Sequence, residues 1–380
     1  MKVTKVKTFV YCPNRNWVFV KMETDEGLIG WGETTIIGQE QSVEACIHDL
    51  AVYLVGRDPR HIELHWSTML RNSWFRPSLV ITSAMSALEI AMWDILGKSL
   101  NAPVYQLLGG PCRRKLKVYL NDWSGDSPRM DDIIASARRC VDQGAAALKW
   151  DPLWRCDVYP AESQFRQAVR NVALLREAVG EDVELMVDCL GRLSPENAAR
   201  FAQEIEPYGI AWLEEPIPTD ADVSALLTVT SASSIPVCVG ERIATRRGFT
   251  GILENRAAGV LNPDPGHAGG ILETKKIADM ADAYYIPVNP HNCGGPVLNA
   301  ANMHIGATIP NFLIHEFFAS DMPHFERIIK EGFPVVKDNC LELSDRPGLG
   351  IELNEAALSG KPFKRFDRRG MWAELRFITA

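Results

Sequence analysis

The chain lacks most of the marks of a specialised protein class. Its nine cysteines are odd in number, scattered, and contain no CxxC pair, so neither a disulfide framework nor a thiolate metal site is indicated. Reduced thiols in the cytoplasm are the expectation. No long Lys/Arg cluster occurs and the net charge is −8, which argues against nucleic acid or anionic lipid as the main partner. No apolar run approaches the ~20 residues of a membrane span, and the opening "MKVTKVKTF" has no apolar segment of the signal-peptide kind. These absences leave a soluble, cytoplasmic protein whose partner is a small molecule.

What is present is length and core-forming material. With 380 residues, 46% of them hydrophobic and 23% charged, the chain can build a large core and more than one domain. The stretch "VFVKMETDEGLIGWGE" reads as two strands joined by a turn at Thr24-Asp25-Glu26-Gly27. From Ser83, "SAMSALEIAMWDILGKSL" has apolar residues at helical spacing, with the serine suited to the N-cap and Gly97 near the end. Residues 1–115 therefore read as an α+β domain, ending near "LLGGPCRR".

Beyond it the pattern changes to short β-rich runs separated by amphipathic helical segments: "LKVYLN", "AALKW", "VELMVD", "IAWLE", "IPVCVGE", "AGVLNPD", "YYIPVNPH" and "NFLIHEF". Alternating strands and helices imply parallel βαβ units, and eight of them close a (β/α)8 barrel. The expected fold is α/β: a modified (β/α)8 barrel over residues 116–339, with an α+β N-terminal capping domain completed by residues 340–380.

Ionisable residues terminate these runs: Lys149, Asp188, Glu214, Glu241, Asp264 and His291, with Glu316 in the last. They recur at about the length of one βα unit, so in a barrel they converge at the C-terminal mouth. Asp188, Glu214 and Glu241 come from consecutive strands and offer only hard oxygen ligands, a set that suits Mg²⁺. The competing reading caps helices with each acid or pairs it with Arg192 or Arg242. Asp264 and His291 lie on neighbouring strands, and a carboxylate beside an imidazole fixes its tautomer and raises its basicity, as a general base requires. His48, His61, His65 and His304 read as structural. His267 reads as a cap or surface residue, and His315 is open.

The ordered set "VDCLGR", "WLEEP", "VGER", "NPDPGHAGG", "PHNCGGPV" and "PNFLIHEF", after "TDEGLIGWGE" and "SALEIAMWDILGK", resembles the enolase superfamily, mandelate racemase subgroup, and most closely its acid-sugar dehydratases. The resemblance implies metal ligands at Asp188, Glu214 and Glu241, a dyad of His291 and Asp264, and an electrophilic Glu316. It implies Mg²⁺ as cofactor, a carboxylate acid-sugar substrate, and a homo-oligomer. The implied reaction is removal of the α-proton of an aldonate or aldarate and loss of the β-hydroxyl, giving a 2-keto-3-deoxy acid. Epimerisation, racemisation or cycloisomerisation of a related carboxylate is the alternative within enzymes, and a silent homologue that only binds is the alternative outside them.

Two positions depart from the family pattern. Where the subgroup often has Lys-x-Lys, this chain has "LKWDP", so Lys149 matches the first lysine and Asp151 takes the second place. Lys149 is open between binding the substrate carboxylate, transferring protons, and a salt bridge to Asp151. Two residues past Asp188, Leu190 replaces the residue that protonates the departing hydroxyl in galactonate-type enzymes. Specificity is expected from the loops "YCPNRNW" and "RNSWFRPS", with Asn16, Trp74 and Arg76 as substrate-binding candidates beside Asp151.

Overall fold

The computed structural model describes residues 1–75, 78–125, 127–154, 156–332 and 336–366. The chain opens with strands β1 (Val3–Tyr11), β2 (Trp17–Thr24) and β3 (Ile29–Thr34), followed by helices α1 (Glu40–Ala51), α2 (Ile62–Asn72), α3 (Leu79–Ser99) and α4 (Val104–Leu107). Strands and helices then alternate: β4 (Lys115–Asn121), α5 (Met130–Asp142), β5 (Ala147–Trp150), α6 (Glu162–Val179), β6 (Glu184–Asp188), α7 (Pro195–Ile205), β7 (Ile210–Glu214) and α8 (Val223–Thr230). They continue with β8 (Val237–Val239), α9 (Thr245–Glu254), β9 (Val260–Leu261), α10 (Ile271–Asp282), α11 (Pro296–Thr308) and β10 (His315–Phe318). Helix α12 (Met322–Ile328), strands β11 (Ile329–Glu331), β12 (Cys340–Glu342) and β13 (Glu352–Leu353), and helix α13 (Glu355–Leu358) follow.

The chain falls into two compact units. The first contains residues 1–118, 240–250 and 262–365. Its antiparallel sheet runs β1-β2-β3, and the β2–β3 hairpin turns through Gly27 at a φ of 80°. Strand β3 lies so close to α3 that side chains are excluded at two positions. A Cβ on Gly32 would stand 1.8 Å from the Ala87 carbonyl oxygen, and one on Gly30 would stand 2.1 Å from that of Ala91.

Helix α3 begins earlier than the expected N-cap at Ser83, which is buried inside it. The apolar "LVIT" carries the helix back to Leu79. Contrary to the expectation drawn from the sequence, α3 is long and apolar enough by composition to cross a bilayer, but 78% of its most apolar stretch is buried in the protein. It is a core helix, apolar all round because β3, α1, α2 and α10 pack on its sides.

The C-terminal segment returns to the N-terminal elements within this unit. The Val104 amide donates to the Gly348 carbonyl at 2.9 Å, the Leu349 amide to Asp94 at 2.9 Å, and Lys21 to Glu355 at 2.6 Å. Strand β12 pairs antiparallel with β4, from Cys340 opposite Lys117 to Glu342 opposite Lys115.

The second unit contains residues 119–239 and 251–261 among those described. Strands β4 to β9 form a parallel run in chain order, with Lys149 opposite Met186, Asp188 opposite Glu214, Glu214 opposite Cys238, and Val239 opposite Leu261. Two of its helices start on capping side chains. Ser194 caps α7 by accepting from the Asn197 amide at 3.3 Å with Pro195 behind it, and Asp222 caps α8 by accepting from Ala225 at 2.9 Å.

One expected strand is reduced. "YYIPVNPH" makes only an isolated bridge, Val288 to Phe312, in the first unit. Pro287 and Pro290 flank that valine and remove the amide donors a longer ladder needs.

In the first unit Glu89 of α3 is fully buried and accepts from the Ile271 and Leu272 amides, at 2.7 and 2.9 Å, and from the Trp93 indole at 2.8 Å. It thereby caps α10 from outside that helix. Burial pushes this carboxyl up to about 8 from an ordinary 4.5, against the pull of its donors. The folded state therefore holds a proton that the unfolded chain releases between these values. Its stabilising contribution is complete below about 4.5 and fades as the pH rises through about 8. Denaturant unfolding across this range should show the wild type losing stability relative to Glu89→Gln with rising pH. A wild type that gains relative to the variant would reverse the sign and refute the assignment.

Candidate functional site

In the second unit the site begins at strand ends. Asp188 is the last residue of β6 and Glu214 the last of β7, and their register sets them side by side. Pairing continues past both strands, with the Cys189 amide on the Glu214 carbonyl at 2.9 Å and the Gly191 amide on that of Glu215 at 2.7 Å. The turn between them bends sharply: Leu190 has a φ of 52° and Gly191 of 74°, and Asp188 Oδ1 accepts from the Leu190 amide at 2.9 Å. A leucine in the left-handed region costs on the order of 1 kcal/mol. The bracing by β7 holds it there.

Lys149, from the adjacent β5, is 1% exposed and its ammonium lies on both acids. It donates to Glu214 and stands 3.6 Å from Asp188. Glu214 also accepts from the Trp212 indole at 2.9 Å. Lys149 therefore supplies positive charge to these two carboxylates, while Asp151 takes a different partner. Arg192, equally buried, donates to Asp151 at 2.6 Å, and the Leu153 amide donates to it at 2.8 Å. Burial raises the Asp151 carboxyl, while the Arg192 guanidinium opposes that rise. Alongside, a cavity of about 610 Å³ is lined in part by Lys149, Asp151, Asn121, Ser124, Gln164 and Asn171.

In the first unit the expected dyad is present. His291 Nδ1 lies 2.7 Å from Asp264 Oδ2, and Asp264 Oδ1 accepts from the Gly266 amide at 2.6 Å. A carboxylate accepts only, so Nδ1 carries the hydrogen and Nε2 is left as the basic atom. Nε2 lies 3.2 Å from Glu241 Oε2 and 3.8 Å from Glu316 Oε2. Burial opposes charge on this imidazole, but Glu241, Glu316 and the Asp264 hydrogen bond together raise its pKa well above the ordinary value.

Glu316 itself accepts from the Asn292 amide at 2.8 Å, and Arg242 stands 2.9 Å from Glu241. Cys293 also adjoins the dyad. Desolvation pushes its thiol up to about 11, which leaves it neutral rather than a thiolate ligand.

Several sequence expectations change. Asn16 is buried and its amide is taken up by one backbone residue: it donates to the Lys364 carbonyl at 2.8 Å and accepts from the Lys364 amide at 3.0 Å. It staples two chain segments rather than presenting itself to a substrate. Trp74 is 91% exposed, and Arg76 lies outside the described residues. Asp151 is committed to Arg192. His267, expected as a cap or surface residue, is buried, with Nε2 2.5 Å from the Thr35 carbonyl and Nδ1 3.2 Å from that of Glu241. His315 is buried against Asn299, at 3.3 Å, and burial lowers its pKa to about 4, as it does for His304.

Two family profiles match the chain: "Mandelate racemase / muconate lactonizing enzyme, N-terminal domain" over residues 6–109, and "Enolase C-terminal domain-like" over residues 132–357. A D-galactonate dehydratase of Pectobacterium atrosepticum is 35% identical over 363 residues, 93% of each chain. A solved mandelate racemase/muconate lactonizing enzyme from Sulfitobacter sp. is 35% identical with a TM-score of 0.89, covering 96% of both chains. One from Jannaschia sp. CCS1 is 34% identical with a TM-score of 0.89, covering 97% of this chain and 99% of that one.

The Asp151–Arg192 pair yields a stability test. Breaking a buried ion pair by removing one charge typically costs about 3 to 5 kcal/mol. The Asp151 side chain is 19% exposed while Arg192 is buried, so Asp151→Asn should lower stability in denaturant unfolding by less than that loss. A loss near that of an ordinary surface substitution would show the guanidinium to be satisfied elsewhere.

Proposed function

The chain belongs to the mandelate racemase/muconate lactonizing enzyme family of the enolase superfamily, and from that membership we propose that it is a Mg²⁺-dependent dehydratase of an aldonate or aldarate. The observation that carries this reading is the orientation of His291. With Nδ1 committed to Asp264 at 2.7 Å, Nε2 is the proton-accepting atom.

Asp188, Glu214 and Glu241 are the residues that would hold the cation. Asp188 and Glu214 are register partners, and Glu241 follows β8, whose Cys238 is the partner of Glu214. All three donors are hard carboxylate oxygens, and Lys149 already sets a positive charge against the first two. Bound there, Mg²⁺ would supply Lewis-acid neutralisation of the charge that develops on the substrate carboxylate. With Glu241 engaged in that role, less negative charge would bear on His291.

In the proposed reaction His291 Nε2 takes the α-proton, the α-carbon to hydrogen bond breaks, and the electron pair moves toward the carboxylate. The β-carbon to oxygen bond then breaks. The hydroxide takes a proton and leaves as water, and the enol becomes the 2-keto-3-deoxy acid. Leu190 offers no proton, and Lys149 is held by Glu214 and Asp188. The imidazolium of His291 is therefore the acid that returns its proton to the departing hydroxyl, on the face from which it came. Asp151, paired with Arg192, supplies no base on the opposite face, which favours elimination over racemisation. Amide and hydroxyl groups such as Asn121, Ser124, Gln164 and Asn171 around the cavity beside Lys149 suit a polyhydroxylated chain.

A screen of aldonates and aldarates with Mg²⁺, detecting 2-keto-3-deoxy acids, tests the reading. Glu214→Gln should weaken Mg²⁺ binding in calorimetry. His291→Asn should abolish exchange of the substrate α-hydrogen with solvent deuterium, a loss of at least the ~10² to 10⁴ that general-base catalysis provides. Lys149→Ala should keep part of that exchange. Exchange that survives in His291→Asn and vanishes in Lys149→Ala would move the base to β5.

A further inference from the structure

The last residue but one of β3, Glu33, does more than end an apolar strand. It is fully buried, and its carboxylate accepts from three backbone donors of the first unit: the amides of Gly295, Val297 at 3.0 Å and Leu298 at 2.9 Å. These are first-turn donors of α11 and the residue before it, the set that a helix leaves without intrahelical partners. Gly295 itself has no side chain to cap them, so Glu33 does so from a strand 262 residues away. A Cβ on Gly295 would stand 2.7 Å from Glu33 Oε1, so only glycine admits this approach.

The segment so gripped is the immediate continuation of His291. Between His291 and Gly295 lie Asn292, Cys293 and Gly294, and each end of this stretch is fixed: Asn302 donates to the His291 carbonyl at 3.3 Å, and Glu33 fixes the far end. The next two residues of the same strand end grip the other half of the dyad. Thr34 Oγ1 donates to the Gly266 carbonyl at 2.8 Å, and the Thr35 carbonyl lies 2.5 Å from His267 Nε2. Gly266 and His267 lie two and three residues past Asp264. One strand end thus touches the loop after each member of the dyad.

We propose that Glu33 is a positioning residue for His291: by capping α11 it sets the loop from His291 to Gly295, while Thr34 and Thr35 set the turn after Asp264, so that the 2.7 Å contact between imidazole and carboxylate is maintained from the N-terminal sheet. Glu33 touches neither reacting atoms nor dyad side chains. It acts through backbone, and its loss displaces the base without removing it. Groups of this supporting kind typically change activity by about 10- to 100-fold when replaced.

The inference rests on the dyad being the catalytic base of the proposed dehydratase, so the test has one arm that needs no substrate. In that arm the downfield proton resonance of His291 Nδ1, assigned by its absence in His291→Asn, is compared in wild type and Glu33→Gln, and amide exchange is followed for residues 292–299. We expect the resonance to shift or broaden and the amides to exchange faster in Glu33→Gln. In the second arm, Glu33→Gln should lower kcat about 10- to 100-fold, with KM and Mg²⁺ affinity changed by less than about three-fold.

Glu89→Gln, which removes a comparable buried cap from α10, serves as the control for general destabilisation and should retain most of kcat. Should Glu33→Gln fail to fold, Gly295→Ala crowds the same contact while keeping the carboxyl group, and Thr34→Val frees the Gly266 carbonyl; both should reproduce the resonance change. An unaltered resonance with unaltered amide exchange overturns the proposal, and so does an equal kcat loss in Glu89→Gln. A wild type that turns over no acid sugar while the resonance still responds to Glu33→Gln overturns the reaction assignment and leaves the positioning role standing.

Discussion

A carboxylate taken out of water must meet positive charge or hydrogen-bond donors, and this chain buries many of its acids. The unit that carries Asp188 and Glu214 meets the demand with an ammonium, that of Lys149. Asp151 meets it with the Arg192 guanidinium. Asp264 relies on an imidazole and a backbone amide. Glu33, Glu89 and Asp94 draw mainly on backbone amides, and Asp94 adds the Lys98 ammonium. The architecture follows from these solutions, because each donor has to be delivered by a particular strand end or helix start.

The buried acids differ in the kind of partner that satisfies them. Glu33 and Glu89 each cap a helix from outside it, while Asp94 ties the β3 amide of Trp31 to the loop amide of Leu349. Where a side-chain cation or imidazole satisfies an acid, the partner can be exchanged for another positive group. Asp188 and Glu214 share the Lys149 ammonium, and Glu241 lies against the Arg242 guanidinium. That distinction is chemical, and it agrees with the positions at which strands β6, β7 and β8 end.

Much of this was legible from sequence because few arrangements besides a barrel mouth make strand-end acids recur at the length of a βα unit. Asp188, Glu214, Asp264 and His291 each stopped an apolar run on a charge. Glu33 carried the same signal, an acid ending "GWGE", yet it read as part of a hairpin, since nothing local says that its donors lie beyond residue 290. Asn16 failed for the related reason that a lone amide in a loop does not reveal whether it faces a substrate or a backbone hundreds of residues away. His267 read as a cap or surface residue because it sits where a helix begins, while its partners are the Thr35 and Glu241 carbonyls. The run "YYIPVNPH" was counted as a full strand, and it makes only the bridge from Val288 to Phe312. Placements that follow from the βα repeat were readable, and partners outside that repeat, such as those of Glu33 and Asn16, were not.

The cap that joins Glu33 to α11 also orders events during synthesis. The strand bearing Glu33 leaves the ribosome long before the amides it will accept have been made, so for most of translation its carboxylate remains solvated and its hairpin lacks that partner. The loop after His291 acquires its working shape only when the first and last thirds of the chain meet. The contact between Glu33 and α11 is therefore among the last that the chain can complete as it is made.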